Sequence, residues 1–93
     1  MIEKGAVLKR CADTRYRNIG DEGVVVRQIA GEVLVLNETG VRVLELLETA
    51  MPVNVLLDAL GAEYEIDRPT LERDMPIYLQ ELVDAGVIEH VAV

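Results

Sequence analysis

The first third of the chain carries a hydrophobic pattern that is typical of short β-strands. Residues 14–19 alternate loosely between polar and apolar side chains, and residues 22–29 contain a run of three valines at 24–26. Residues 32–36 consist of a glutamate followed by four consecutive aliphatic residues. Because β-branched runs separated by glycine-containing turns favour hairpins, the pattern predicts a small three-stranded antiparallel sheet over residues 14–36.

Beyond Asn37 the apolar residues recur every three or four positions, which predicts three consecutive amphipathic helices. Asn37 is expected to cap the first helix, because its side chain can accept a hydrogen bond from the amide of Thr39 or Gly40. This helix is expected to end near residues 49–50. Met51-Pro52 is expected to begin the second helix, because proline is tolerated in the first turn of a helix. Gly61 is expected to end this helix.

The third helix is expected to begin at Asp67 and to end at Gly86. Its predicted buried stripe consists of Leu71, Met75, Tyr78, Leu79 and Leu82. Pro76 lies inside this helix, and a proline in a helix interior costs about 3 kcal/mol unless the helix adapts. We therefore expect a kink there or a late helix start near Asp74.

The whole chain is predicted to be one α+β domain with a winged helix-turn-helix fold. Its 93 residues, 51% of them hydrophobic but only three aromatic, allow one small core of leucine and valine. The expected parts are a flexible arm at 1–10, the sheet at 14–36, the helices at 38–86 and a wing or tail at 87–93. Without a membrane-spanning apolar run or a signal-peptide pattern, the chain is expected to be cytoplasmic.

The charge is unevenly distributed along the chain. Residues 1–27 hold six basic and four acidic side chains, whereas residues 28–93 hold three basic and thirteen acidic side chains, a net charge of −10. Because nucleic-acid affinity comes largely from lysine and arginine on phosphates, the acidic helical part disfavours nucleic acid as a partner. The alternative interpretation is that this acidic surface only keeps the protein soluble.

Residues suited to catalysis or metal binding are sparse. Cys11 and His90, the one cysteine and the one histidine, supply at most two soft ligands, whereas a structural zinc site needs four. No nucleophile is visible beside a base, and no glycine-rich phosphate loop follows a strand. The sequence therefore predicts a protein that is not an enzyme and holds no cofactor or metal.

The last predicted strand is a candidate peptide-binding element. A strand at the edge of a sheet exposes unpaired N–H and C=O groups, so an extended peptide can add to it as a further strand. The residues expected at this edge are Val33, Leu34, Val35 and Leu36. The alternative is that these four residues form a strand that only covers the core.

Selectivity for a peptide would have to come from side chains beside the edge strand, on the last helix. There Asp74, Ile77 and Glu81 share a stripe next to the buried one, with Tyr78 at its border. Their acidic members would favour a peptide that carries lysine or arginine. Three alternatives stay open: Tyr78 as a core residue, Asp74 as a helix N-cap, and Arg15 and Arg17 either as solvated strand positions or as contacts to an enzyme.

Several segments together resemble the PqqD-like family. They are Leu36-Asn37-Glu38-Thr39-Gly40, the spaced aliphatics Val43, Leu47, Val53, Leu56-Leu57 and Leu60, and finally Asp74, Tyr78-Leu79, Leu82 and Gly86-Val87-Ile88. The resemblance covers about two thirds of the chain. It implies a RiPP recognition element, a small winged-helix module that holds the leader of a ribosomally made precursor peptide.

The resemblance further implies that the partners are the leader peptide and a modifying enzyme, such as the radical S-adenosylmethionine enzyme of pyrroloquinoline quinone (PQQ) synthesis. The chain would then be a peptide chaperone that is monomeric or weakly dimeric.

A DNA-binding transcription regulator is the alternative function, since it shares the winged-helix architecture. Its recognition helix would present basic or amide side chains to the major groove. Residues 70–85 offer Arg73 and Gln80 for this purpose, but four acidic residues give the segment a net charge of −3. This charge argues against binding in the major groove.

Overall fold

The computed structural model of the protein describes residues 2–92, so Met1 and Val93, at the ends of the predicted arm and tail, lie outside the described residues. The fold mixes strands and helices, as the α+β prediction requires. The strands are β1 (Val7–Arg10), β2 (Thr14–Ile19), β3 (Glu22–Arg27), β4 (Glu32–Asn37), β5 (Met51–Pro52) and β6 (Ile88–His90). The helices are α1 (Glu38–Leu46), α2 (Val53–Tyr64) and α3 (Arg68–Asp84). No helix within this range is long and apolar enough to cross a bilayer.

Strands β2, β3 and β4 form the predicted antiparallel sheet, in that order. The register places Tyr16 opposite Val25 and Val25 opposite Leu34. Helix α1 packs on the face that Val25 shares, and its Val41 side chain fills the space where a side chain at Gly23 would stand. The prediction of a three-stranded sheet is therefore confirmed, and α1 covers one of its faces.

Strands β5, β1 and β6 form a second sheet that the sequence analysis did not predict. Its central strand pairs Leu8 with Met51 on one side and with His90 on the other. The Leu8 side chain is fully buried. The expectation of a flexible arm at 1–10 is thus wrong for Val7–Arg10, which is ordered by partners that lie more than forty residues away in sequence. Of the two alternatives for 87–93, the strand is observed at Ile88–His90, as part of this second sheet.

Helices α1 and α2 differ in part from their predicted bounds. The Asn37 cap is confirmed, since the Gly40 amide donates to Asn37 Oδ1 at 2.9 Å. Helix α2 begins at Val53 rather than at Met51, because Met51–Pro52 pairs with β1 as a strand. It also continues beyond Gly61, where an added Cβ would lie 3.0 Å from Leu71 Cδ1. Gly61 therefore allows α2 and α3 to approach closely and does not end the helix.

Helix α3 runs without interruption through Pro76, so the late start near Asp74 is wrong. Asp67 occupies the N-cap position and accepts a hydrogen bond from the Thr70 hydroxyl at 2.7 Å. At the other end Gly86, at φ +78°, allows the amides of Gly86 and Val87 to donate back to the carbonyls of Val83 and Leu82. Gly86 thus ends α3 as predicted, the helix starts next to Asp67, and the internal proline shifts neither end.

A single cluster of aliphatic side chains, contributed by both sheets and all three helices, forms the core. Its fully buried members include Leu8, Val25, Leu44, Leu47, Leu56, Leu57, Leu60, Leu79 and Ile88. Burying each such side chain stabilises the fold by about 1.5–3 kcal/mol relative to leaving it exposed. This cluster holds α3 against α2 and β6, and so fixes where the remaining face of α3 is presented.

Candidate functional site

Strand β4 is an edge strand, because β3 is its one sheet neighbour among the described residues. In an antiparallel pair, successive residues direct their N–H and C=O groups alternately toward the neighbour and away from it. Every second residue of Glu32–Asn37 therefore offers an unpaired donor and acceptor at the free edge. The spacing of these groups matches that of an extended peptide.

The four predicted edge residues divide between the two faces of the sheet. Leu34 and Leu36 are half-buried and pack against the core from the face that α1 covers. Val33 and Val35 point the other way, with 64% and 63% of their surface exposed. Two of the four side chains therefore cover the core, while the other two and the free edge of the strand are exposed.

Tyr78 connects α3 with the C-terminal end of β4. Its hydroxyl lies over Gly40, where it would collide with an added Cβ, and Leu36 Cβ lies 3.0 Å from the same position. The side chain is half-buried, so Tyr78 is neither a core residue nor a free surface residue. Burial, and secondarily the charge of Glu81, raises the pKa of the Tyr78 hydroxyl. The hydroxyl therefore stays protonated at neutral pH and can donate a hydrogen bond.

Asp74 and Glu81 flank Tyr78 on α3, one turn before it and one turn after it. Asp74 is not an N-cap, since Asp67 has that role. Its carboxylate accepts a hydrogen bond from Arg73 Nε at 3.0 Å, and this contact lowers the pKa of Asp74. Arg73 thereby compensates the charge of Asp74, whereas Glu81 forms no ion pair among the described residues.

Ile77 is the exposed apolar member of the predicted set. It lies next to Tyr78 on α3, and 61% of its surface is exposed. Ile77 and Glu81 thus lie near Tyr78 on α3, and Tyr78 itself approaches Leu36, next to the free edge of β4. We call the surface between this part of α3 and the edge of β4 the β4–α3 groove.

Gly40 is a residue of this site whose role the sequence analysis missed. The sequence indicates it as an amide donor to Asn37 and as part of the segment 36–40, but its lack of a side chain is what admits the Tyr78 hydroxyl. A glycine in the first turn of a helix is disfavoured by about 1 kcal/mol relative to alanine. That unfavourable choice of residue is the signal that could have indicated a close approach.

We expect Gly40→Ala to weaken peptide binding by about tenfold, because its Cβ displaces both Tyr78 and Leu36 at the groove. The double variant Gly40→Ala with Tyr78→Phe removes the colliding hydroxyl and should recover most of the affinity. Gly5→Ala, where an added Cβ meets nothing within 4 Å, is the control. Fluorescence anisotropy with a labelled leader peptide measures all three affinities, and an unchanged affinity for Gly40→Ala would show that Tyr78 does not shape the groove.

Two further polar side chains have shifted pKa values but lie outside the groove. Burial, followed by contact with Glu89, raises the pKa of the Cys11 thiol to about 11. Burial, followed by a hydrogen bond with Glu48, raises the pKa of Tyr16 to about 12. A reactive cysteine needs its thiolate, so a thiol with this pKa is a poor nucleophile at neutral pH. Over residues 2–92, no group of three or more His, Cys, Asp or Glu side chains is arranged to hold a metal ion.

Comparison with known proteins connects this geometry to one family. The sequence profile of the family described as coenzyme PQQ synthesis protein D (PqqD) matches residues 22–88, which span β3, β4 and all three helices. The chain is also similar to a solved structure of TbiB1 in complex with the TbiA(beta) leader peptide. The identity is 33%, the TM-score is 0.76, and the match covers 91% of this chain and 99% of that chain. A search of curated proteins gave no match.

Proposed function

The chain belongs to the coenzyme PQQ synthesis protein D family, and from this membership we propose that it binds the leader of a ribosomally made precursor peptide and presents it to a modifying enzyme. The observation that carries the proposal is the free edge of β4 beside Tyr78. Its support is the similarity, at a TM-score of 0.76, to a protein whose solved structure includes a leader peptide.

In the proposed mode of binding, the leader adds to β4 as a further strand. Main-chain hydrogen bonds to alternate residues of 33–36 would supply affinity with little dependence on the peptide sequence. Side chains of the leader on the α1-covered side would enter the β4–α3 groove, where they meet Leu34, Leu36 and Tyr78. The leader side chains on the opposite side would stay exposed.

A winged helix-turn-helix arrangement is part of the same proposal. In it α2 and α3 are the paired helices, and β6, within the predicted wing at 87–93, is the wing strand. Helix α3 packs against both α2 and β6, which keeps its Tyr78 face directed to β4. The acidic side chains of α3 disfavour the major groove of DNA, and so favour a peptide over DNA as the ligand.

The proposed selectivity of the groove rests on Glu81. Asp74, Ile77, Tyr78 and Glu81 are the proposed contacts on α3, but Arg73 compensates Asp74. The uncompensated carboxylate of Glu81, beside the Tyr78 hydroxyl, would favour a leader with lysine or arginine at the matching position. The charge of Asp74 would contribute little.

We expect Glu81→Gln to lower the affinity for a basic leader about threefold to tenfold at low salt, because one charge-assisted contact is lost. Asp74→Asn, the matched control one turn before Tyr78, should change the affinity less than twofold. Anisotropy titrations at about 0.05 M and 0.5 M NaCl measure both effects, and the difference between the variants should shrink at the higher salt. Equal affinities for Glu81→Gln and the unsubstituted chain at low salt would contradict this role.

The proposal assigns no catalytic step to the chain. Its support is that burial raises the pKa of the Cys11 thiol to about 11, which makes it a poor nucleophile at neutral pH. The proposed enzyme partner, a radical S-adenosylmethionine protein or another modifying enzyme, would carry out the chemistry. The proposal also places the chain in the cytoplasm, where ribosomally made peptides are synthesised.

Titration with the leader of a short precursor encoded beside the chain's own gene tests the proposed function. We expect saturable binding by fluorescence anisotropy, and no binding of a peptide with the same composition in scrambled order. Equal binding of both peptides would show attraction to charge alone and would contradict leader recognition.

A further inference from the structure

The face of the β2–β3–β4 sheet that points away from α1 is formed by alternate residues of the three strands. The register aligns Arg15 with Val26 and Val33 in one row. It aligns Arg17 with Val24 and Val35 in the next. Ile19 follows Arg17 on the same side of β2 and shares its row with Glu22 and Asn37. We call seven residues of this side the outer face: Arg15, Arg17, Ile19, Val24, Val26, Val33 and Val35. Glu22 and Asn37 lie at its end, beside Ile19.

The outer face is apolar over most of its area and is exposed to solvent. Ile19, Val33 and Val35 each expose more than 60% of their surface. A shallow depression of about 310 Å³ lies along β2 and β3, and both arginines, Ile19, Val24 and Val26 line it. Contiguous exposed apolar side chains of this kind mark interaction surfaces in otherwise well-packed domains.

The two arginines give this apolar face a positive rim. Arg15 donates hydrogen bonds to the carbonyl of Ala12, at 2.9 Å, and neither Arg15 nor Arg17 forms an ion pair among the described residues. Of the nine basic residues, five form ion pairs, namely Lys4, Arg27, Arg42, Arg68 and Arg73, and Lys9 and Arg10 share with Arg15 and Arg17 the lack of one among the described residues. In a chain of net charge −8, the two arginines therefore form a positive rim without ion pairs beside exposed valines, and Glu22 is the acid that lies on the same side, beside Ile19.

We propose that the outer face docks the modifying enzyme, through a surface on that enzyme with an apolar centre and carboxylates placed opposite Arg15 and Arg17. That the partner is a modifying enzyme rests on the proposed function. That this surface binds a partner rests on the exposure of its apolar side chains and on the charge of its two arginines. Complementary charge at the rim speeds encounter and sets orientation, while the apolar centre supplies affinity.

The outer face is continuous with the edge that would receive the leader. A peptide strand added to β4 would extend the sheet beyond Val33 and Val35, and every second side chain of the peptide would join the outer face. An enzyme docked there would contact the chain and its bound leader together. This arrangement explains how a small binding domain presents a peptide, and it predicts tighter docking when the leader is bound.

A second copy of the chain fits this face less well than an acidic partner. A two-fold dimer brings the same patch of both copies together. The arginine rims of the two copies would then lie in one interface, where like charges oppose association. Charge complementarity therefore favours a different protein.

To test this inference, the chain is immobilised and saturated with leader. The affinity of the modifying enzyme, which is encoded beside the chain's gene, for this complex is then measured. We expect Arg15→Gln with Arg17→Gln to weaken docking about tenfold or more, and Val33→Thr with Val35→Thr to weaken it similarly. Lys4→Gln with Lys9→Gln is the matched control, because it removes the same charge from exposed positions outside the outer face and should change docking less than twofold.

Leader affinity, measured separately by anisotropy, distinguishes this inference from the proposed function. The arginine pair variant should bind the leader within about twofold of the unsubstituted chain, since its side chains lie on β2, away from β4. Docking unaffected by the arginine variant, or no docking by a chain that does bind leader, overturns the inference. The inference is also overturned if sedimentation shows that the unsubstituted chain is a dimer and that the arginine pair variant is a monomer. Failure of the unsubstituted chain to bind leader overturns the proposed function itself.

Discussion

Proline at either of two alternate positions of β4 should weaken leader binding at least about tenfold while the domain stays folded. Proline has no N–H, so it removes a donor wherever it stands, and an edge strand tolerates it where that N–H faces solvent. Among Val33, Leu34, Val35 and Leu36, one alternate pair directs its N–H groups to β3 and the other pair to the free edge. The four single variants should therefore divide into two classes.

At the two edge-facing positions, we expect the leader affinity to fall at least about tenfold, because a main-chain hydrogen bond is lost and the proline ring obstructs the peptide. The midpoint of thermal unfolding should shift little for proline at these positions.

At the other two positions, proline removes a hydrogen bond to β3 and should destabilise the fold by about 1–3 kcal/mol. Alanine at each position keeps the N–H and serves as the control, with anisotropy and thermal melts as the two measurements. Four proline variants that all bind leader normally would exclude strand addition at β4.

Leu8→Ala should destabilise the domain by about 2–5 kcal/mol, which is a large share of the stability of a domain this small. The side chain is fully buried in the central strand of the second sheet, and its removal leaves a cavity between β1 and the helices. A flexible arm, in contrast, would tolerate the change within about 0.5 kcal/mol.

Lys9→Ala provides the control for Leu8→Ala, since Lys9 is the adjacent residue of β1 and is exposed. Urea denaturation followed by circular dichroism gives the free energy of unfolding of both variants. Equal stability of the Leu8 and Lys9 variants would mean that β1 contributes nothing to the fold and would support the flexible arm.

The parts of the fold that could be predicted are those whose signals are local. The β2–β3–β4 sheet follows from three adjacent strands with short turns, and β2 has its predicted bounds. The Asn37 cap and the Gly86 C-terminal motif each involve residues within a few positions of one another. Local hydrogen bonds and side-chain alternation are sufficient to specify such elements.

The second sheet could not be predicted because its pairing is entirely non-local. β1 has four residues, β5 two and β6 three, too few for alternation to be distinct. Only the packed helices bring them together, with Leu8 opposite both Met51 and His90. For the same reason Met51–Pro52 resembles a helix start in sequence, although β1 holds it as a strand.

The candidate site was predicted in its main-chain part and less well in its side chains. That β4 lies at an edge follows from its place as the last strand of a predicted meander. The compensation of Asp74 by Arg73, and the contact of Tyr78 with Gly40, depend on side-chain placement that spacing alone does not specify. The role of each residue in peptide binding stays a prediction that the variants above address.

Amide hydrogen exchange of the labelled protein, followed by NMR with and without the leader peptide, tests strand addition at β4 most directly. In the free protein, alternate amides of 33–36 should exchange rapidly, because they face solvent at an open edge. Saturation with leader should slow the exchange of these same amides and leave the β2 edge unchanged. Saturable binding that leaves the β4 amides unprotected, or that protects β2 instead, would contradict the account.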